Sequence, residues 1–484
     1  MMISKTILGL IVVGSAVLLL NCKPKEEETE LSEEYYTGGK NGTAFVAGSN
    51  AYEQMSDAVK DVLAFKRGEA MFENNYVTGE GTPFSGLGPV YIRSSCIACH
   101  PGYGRSKRVD NFNSDEYGNG YLVMIHDADG KILPSFTGML QTKAVAPFLP
   151  PVDEKGIHIT WKVFTDQYGN RYPDGTTYSL IYPEVSIDRN AINVPVPSEY
   201  YVSIEGTIGI YGTGLLDAIT DADLRAEAQS QSQRGYAVGK LGPDITEADG
   251  STHPGRYTYG CTRGTLQNGP GSNAIWNITN VTRPDRAYHY ITEPYATAMA
   301  DNVQIQQSLG WTRDSIYNYL MSKNLPPEMS MSEFDEFMIW HRGLAVPAAR
   351  NLDDPKVQEG KTIFYSIGCT ACHKPSWTTG EDKYIAGYSN QKIWPYSDLL
   401  QHNLGWKDKN ASPGLREWCR TTPLWGRGLS LICAGHTDHL HDLRARNFEE
   451  AILWHFGQAE TAREKFRNLS KSQREALIDF LNAI

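Results

Sequence analysis

The sequence predicts a mainly α protein of two helical units, the first enlarged by a β-containing insertion over about residues 104–254. Three observations predict it. A five-residue cysteine pattern with a helix-like flank occurs twice, at Cys96 and again at Cys369. The chain closes with an amphipathic helix that could pack on the second flank. Between the two copies the pattern changes to short alternating segments rich in turn residues.

The chain has 484 residues, enough for two to four domains. It carries 45 Lys and Arg against 56 Asp and Glu, a net charge of −11. Phosphate neutralisation needs clustered cations, and no basic tract is present, so nucleic acid is excluded as a partner. The aromatic content of 11%, with 45 Gly and 25 Pro, predicts an ordered, loop-rich protein.

In chain order, Lys5 precedes an apolar run from Ile7 to Leu20, too short to span a bilayer comfortably. It reads as an export signal over 1–22. Leu19-Leu20-Asn21-Cys22 resembles a bacterial lipobox, in which Cys22 would bear the lipid, with Asn departing from the usual small residue. Residues 23–55 read as an acidic flexible tether, and no later segment is apolar enough to cross a membrane. A helix is expected over Asp57–Glu73. Strands are expected over His158–Phe164 and Thr177–Tyr182, joined by a hairpin loop over Gln167–Gly175. Leu215–Ser232 and most of Asn277–Ser322 read as helical, as does Asp354–Ser366. Ser470 or Ser472 can cap the last helix, with Gln473 or Glu475 completing a capping box, and Leu477, Phe480, Leu481 and Ile484 form its stripe.

The repeated pattern is Cys96-Ile97-Ala98-Cys99-His100 and Cys369-Thr370-Ala371-Cys372-His373. C-x-x-C-H is the attachment signature of c-type haem: the two thiols can bond the vinyl groups while the next residue brings an imidazole under the iron. A zinc half-site or a thioredoxin-like pair also uses C-x-x-C, but neither predicts a particular residue after the second Cys. Two covalent haem groups are therefore expected, with His100 and His373 as axial ligands. Each motif follows a helix-like stretch with Gly four residues before an aromatic, Gly68 and Phe72 in the first, Gly360 and Phe364 in the second. Such a pair lets another helix approach at the Gly. The arrangement resembles the first helix of a cytochrome c domain. Two cytochrome c-like haem domains follow as the expectation, over about 56–345 and 346–484.

The second axial position decides whether a haem carries electrons or meets a small oxidant. Asn447 can cap a short helix, Gly457 can end it, and His455 falls with Phe448, Ala451 and Ile452 on its apolar face. A lone His on an apolar face is more often a core residue than a ligand, but two haem irons with an unfilled side reverse that preference. His436, His439 and His441 with Asp438 could mimic a metal cluster and read better as loop residues. Of the remaining cysteines, Cys419 and Cys433 are the expected disulfide, since a short loop closes cheaply, leaving Cys261 odd.

Residues Arg420-Thr421-Thr422-Pro423-Leu424-Trp425-Gly426 and Leu440 to His455 look like the end of the di-haem oxidoreductase family. Gly86-Leu87-Gly88-Pro89, Gly214 to Ile219 and Arg342-Gly343-Leu344-Ala345 match as well, with Leu443 departing where Gly is usual. The family is similar to bacterial di-haem cytochrome c peroxidases. The resemblance implies two covalent haem c groups, admits a calcium ion, and places His455 as the distal ligand opposite His373. It implies a small oxidant as substrate and a small cytochrome or cupredoxin as electron donor. For the first haem, His289 and Glu293 lie in the segment that should hold the distal and catalytic groups, with His126, His158 and His253 as rivals. The alternative function is a di-haem electron carrier or redox sensor. In either case the protein is expected to be exported and anchored by lipid in the outer membrane.

Overall fold

The computed structural model describes residues 31–79, 84–247, 249–268, 274–275, 284, 288–323, 327–406 and 418–484. The expected signal segment and Cys22 lie outside these residues. Residues 33–484 form one unit by their contacts.

Helix α1 (Val62–Glu73) begins where the Asp61 side chain accepts from the Ala64 amide. The strands β1 (Tyr121–His126), β2 (Ile157–Phe164), β3 (Leu180–Ile187) and β4 (Tyr201–Gly206) follow. Strands β2 and β3 pair antiparallel from Ile157 opposite Ile187 to Phe164 opposite Leu180, and β1 pairs antiparallel with β4. Helices α2 (Thr213–Asp217) and α3 (Asp221–Arg234) split the single helix expected there, because Thr220 caps the second. Three short helices follow, α4 (Glu293–Asp301), α5 (Val303–Leu309) and α6 (Arg313–Leu320). Then come α7 (Met331–Arg342) and α8 (Pro355–Ile367). Strands β5 (Gln401–Asn403) and β6 (Trp418–Arg420) pair antiparallel. The chain ends in α9 (Phe448–Leu453), α10 (Glu460–Arg467) and α11 (Lys471–Ala483). Of the two capping boxes open to the last helix, Ser470 with Gln473 is the one formed.

The mainly α expectation is corrected. Helix accounts for 34% and strand for 16%, spread over several small sheets, so the chain is mixed α/β and cytochrome c-like domains are not what the fold shows. The reason is the stretch between the motifs. Its alternating segments build a separate core in which Val123, Ile125, Ile157, Val185 and Ile204 pack with Tyr295, Met299 and Ile316 of α4 and α6. The helices before α7 thus cover the β hairpins. A second correction concerns the tether: Tyr35, Ala51 and Tyr52 are buried, and Thr43–Ala44 pairs with Val346–Pro347, so residues from 33 onward are packed into the fold.

Two helix pairs repeat one contact. A Cβ on Gly68 of α1 would lie 2.5 Å from the Glu336 carbonyl oxygen of α7, and one on Gly360 of α8 would lie 1.9 Å from that of Ala476 in α11. The glycines allow backbones to touch where a side chain would force them apart. Beside them Phe72 meets Trp340 at 4.5 Å and Phe364 meets Phe480 at 5.4 Å between ring centroids.

The loop between β2 and β3 docks onto the C-terminal helices. Asp166 pairs with the buried Arg463 at 2.6 Å, Asp174 with Arg474 at 2.7 Å, and the Tyr172 hydroxyl donates to Glu449 at 2.7 Å. The turn residues read from sequence do form a hairpin connection, but one that also braces α9, α10 and α11.

Candidate functional site

The Cys369 motif follows directly from α8. Gly368 caps that helix at φ +100°, a left-handed conformation that suits glycine, and turns the chain so that Cys369–Ala371 forms a single 3-10 turn. The His373 Nδ1 stands 3.0 Å from the Tyr396 carbonyl oxygen, and the His455 Nδ1 stands 2.6 Å from that of Ala451. Each Nδ1–H therefore donates to a backbone carbonyl, which leaves the Nε2 lone pair as the atom able to bind a metal. Burial pushes both imidazoles down, His373 to about 4, so both rings are neutral at pH 7. Their centroids are 6.4 Å apart. Metal–imidazole bonds of about 2 Å on opposite sides of one ion place ring centroids roughly 6 Å apart. His455 itself lies just past α9, which ends at Leu453, rather than on the helix as its spacing predicts.

These groups line a cavity of about 690 Å³ together with Cys369, Cys372, Leu477 and Leu481. That volume is in the range of cofactor sites. Three arginines on its wall, Arg105, Arg420 and Arg427, form no ion pair with a carboxylate among the described residues. Their contacts are neutral: Arg105 with the Tyr259 hydroxyl and the Leu440 carbonyl, Arg420 with the Arg256 carbonyl, Arg427 with the Pro423 carbonyl. The Nε atoms of Arg105 and Arg420 are buried without a partner among the described residues. Unneutralised buried cations call for an anion, and a haem group carries two carboxylates. Arg420 and Arg427 also line a small cavity with Trp425 and Ile208.

Ile208 leads to the first motif, because its carbonyl oxygen lies 2.8 Å from the His100 Nδ1. Burial pushes His100 down to about 4. Phe72 stands 6.1 Å from the His100 ring, as Phe364 stands 6.2 Å from His373. No second imidazole faces His100 among the described residues in the way His455 faces His373.

The structure does not bring the expected distal candidates to that motif. The His289 ring nitrogens lie 3.1 and 3.2 Å from the Ile291 and Ser322 carbonyls. Glu293 is exposed at the start of α4, 3.5 Å from the Tyr317 hydroxyl. His126 stacks on Tyr201, His158 pairs with Asp188 at the surface, and His253 pairs with Asp221. His436 pairs with Asp438, His439 stacks on Phe448, and His441 stacks on Trp406. No group of three or more His, Cys, Asp or Glu suited to a metal ion occurs among the described residues. No disulfide joins Cys419 to Cys433. Cys419 is buried in β6, whereas the Cys433 thiol sits 3.5 Å from the Gly48 carbonyl. Short spacing along the chain favours closure, but β6 and the Ser430–Ala434 helix hold the two residues in different surroundings.

Several site residues were not legible in sequence. The three arginines are scattered, although Arg420 opens a segment that itself stands out. The His402 Nε2 sits 2.7 Å from the Asp398 carboxylate on the cavity wall. Burial is the strongest single influence and lowers its pKa, but the hydrogen bonds and charges of Asp398 and Cys372 together outweigh it and hold it up at about 10. Glu205, on the buried side of β4, is pushed up to about 8 by burial, despite Arg420 and Arg105 nearby. Its proton is retained to about pH 8 when folded and lost near 4.5 when unfolded. Folding stability attributable to Glu205 therefore falls as pH rises between those values. Glu205→Gln is expected to flatten this fall, read from urea unfolding at pH 5 and pH 8; an unchanged difference between the two would refute the assignment.

Neutral oriented imidazoles, a cofactor-sized cavity and an unneutralised guanidinium wall are the features that a haem site would need. Residues 297–484 match the family described as "Di-haem oxidoreductase, putative peroxidase". The match contains the second motif and His455, while the first motif precedes it. No curated protein and no solved structure matches the chain.

Proposed function

We propose that the chain is an exported di-haem c-type oxidoreductase that reduces peroxide or a related small oxidant. The observation that carries the haem part of this reading is the facing His373–His455 pair, 6.4 Å apart on the cavity that also holds Cys369 and Cys372, and the peroxide step rests on His100, which has no such facing imidazole among the described residues. Cys96 and Cys99, and Cys369 and Cys372, would hold two haem groups by thioether bonds, with His100 as the imidazole that would bind the first iron and His373 and His455 as those that would bind the second. Bound haem supplies one-electron chemistry and, where an axial position is open, reaction with a small oxidant.

The chain's own groups prepare that chemistry. Carbonyls of Ile208 and Tyr396 orient His100 and His373 through their Nδ1–H groups and raise their basicity as ligands. Arg105, Arg420 and Arg427 would bind the haem carboxylates and keep their charge paired. Reduction of hydrogen peroxide to two waters consumes two electrons and two protons, and Glu205 is a buried group that holds a proton at neutral pH. A small cytochrome or cupredoxin would supply the electrons. Residues 1–22 would direct export, with a lipid on Cys22 anchoring the protein to the outer membrane.

The alternative, an electron carrier or redox sensor, is favoured by the saturated His373–His455 pair taken alone. Holoprotein made in a host that matures c-type cytochromes separates the two. The enzyme reading expects two acid-acetone-resistant haem groups per chain and a high-spin ferric band that shifts with peroxide or cyanide. Two low-spin haem groups inert to both, before and after partial reduction, would establish the carrier instead.

A further inference from the structure

The two helix pairs repeat closely enough to compare residue by residue. Gly68 of α1 meets Glu336, and Trp340 follows four residues on; Gly360 of α8 meets Ala476, and Phe480 follows four residues on. Phe72 and Phe364 keep matching distances to the imidazoles of their motifs, 6.1 and 6.2 Å. In this register Phe337 corresponds to Leu477 and His341 to Leu481. Both leucines line the large cavity beside Cys369 and His373. His341 therefore occupies, beside the first motif, the place of an apolar wall residue beside the second.

His341 is 9% exposed, in the last turn of α7, with Phe337 and Trp340 rings at 6.3 and 5.6 Å. Neither of its ring nitrogens has a hydrogen-bond partner among the described residues. A buried imidazole with both nitrogens unmet costs free energy that leucine at the same position would not. The neighbouring ions do not satisfy it: Arg342 is engaged with Asp217 and lies over the Tyr384 ring.

We propose that His341 is a pocket residue of the first haem, presenting a polar imidazole to the haem of Cys96, Cys99 and His100 where the second haem meets Leu481. This rests on the di-haem reading above. A polar group beside a buried haem favours the more highly charged ferric state, so burial and hydrogen bonding there set the potential. His341 gives the two centres unlike surroundings within one repeated frame.

The test uses full-length holoprotein bearing His341→Leu, which copies Leu481, and His341→Gln, which keeps a donor and an acceptor. Potentiometric titration follows both haem groups, the second identified as the one retained when Cys96 and Cys99 are replaced by Ser. At the potential where the first haem of the parent is half reduced, His341→Leu is expected to raise its ferrous-to-ferric ratio several-fold. His341→Gln should change it less, and the second haem should not move. If His341→Leu does not accumulate, a ratio altered in His341→Gln at the first haem alone supports the assignment. Unaltered spectra and midpoints at the first haem, or a change confined to the second, overturn it. A pyridine haemochrome count below two per chain in the parent would instead defeat the di-haem reading.

Discussion

Under the proposed di-haem reading, replacing His455 by alanine is expected to shift the ferric spectrum of the second haem from low-spin to high-spin. The geometry leaves little latitude. His455 is held by its bond to the Ala451 carbonyl, its ring faces that of His373, and no other imidazole pairs with His373 in this way among the described residues. Electron paramagnetic resonance and the visible spectrum of the ferric holoprotein read the change directly. His455→Met tests the same position in the other direction. It should keep the centre low-spin and raise its potential, because a thioether ligand favours ferrous iron more than imidazole does. A low-spin spectrum like that of the parent in His455→Ala would show that some other group fills the site.

The second large effect is expected on folding. In Gly360→Val the Cβ would stand 1.9 Å from the Ala476 carbonyl oxygen and 2.9 Å from the Phe480 Cβ, neither of which is the end of a flexible side chain. Helices α8 and α11 must separate, and overpacking of this kind costs about 1–3 kcal/mol or more. The better helix propensity of a non-glycine residue returns at most about 1 kcal/mol. The expected result is a lower thermal midpoint and reduced haem incorporation at Cys369 and Cys372, since α8 delivers that motif through Gly368. Gly68→Val should act in the same sense on α1 and α7, where the closest approach is 2.5 Å. An unchanged midpoint in Gly360→Val would mean that the helices do not meet at that glycine.

The glycine contacts illustrate how far sequence alone reaches. Gly68 with Phe72, Gly360 with Phe364 and the stripe of the last helix are local periodicities, and the packing of α8 on α11 follows from them. The Ser470 cap and the β2–β3 hairpin were legible for the same reason: each depends on residues a few positions apart. The mainly α expectation failed because short strands carry weak periodic signals, and nothing local marks α4 and α6 as the cover of a β core. His289 and Glu293 suggested themselves by position in the chain, but their side chains are directed to nearby backbone and to Tyr317.

The sequence by itself marked the residues expected to hold haem, because C-x-x-C-H is a contiguous arrangement that works within a single turn. It also marked His455 as the residue to oppose His373, through its own short helix and through a family resemblance that the match over 297–484 bears out. Only the tertiary structure decided the surroundings of those residues. Arg105, Arg420 and Arg427 meet across more than three hundred residues of chain. Glu205 becomes a proton-holding acid only when β4 is covered, and His341 loses its water only when α7 closes on α1. Charge, burial and unmet hydrogen bonds depend on what lies nearby in space, and only the folded chain sets that proximity.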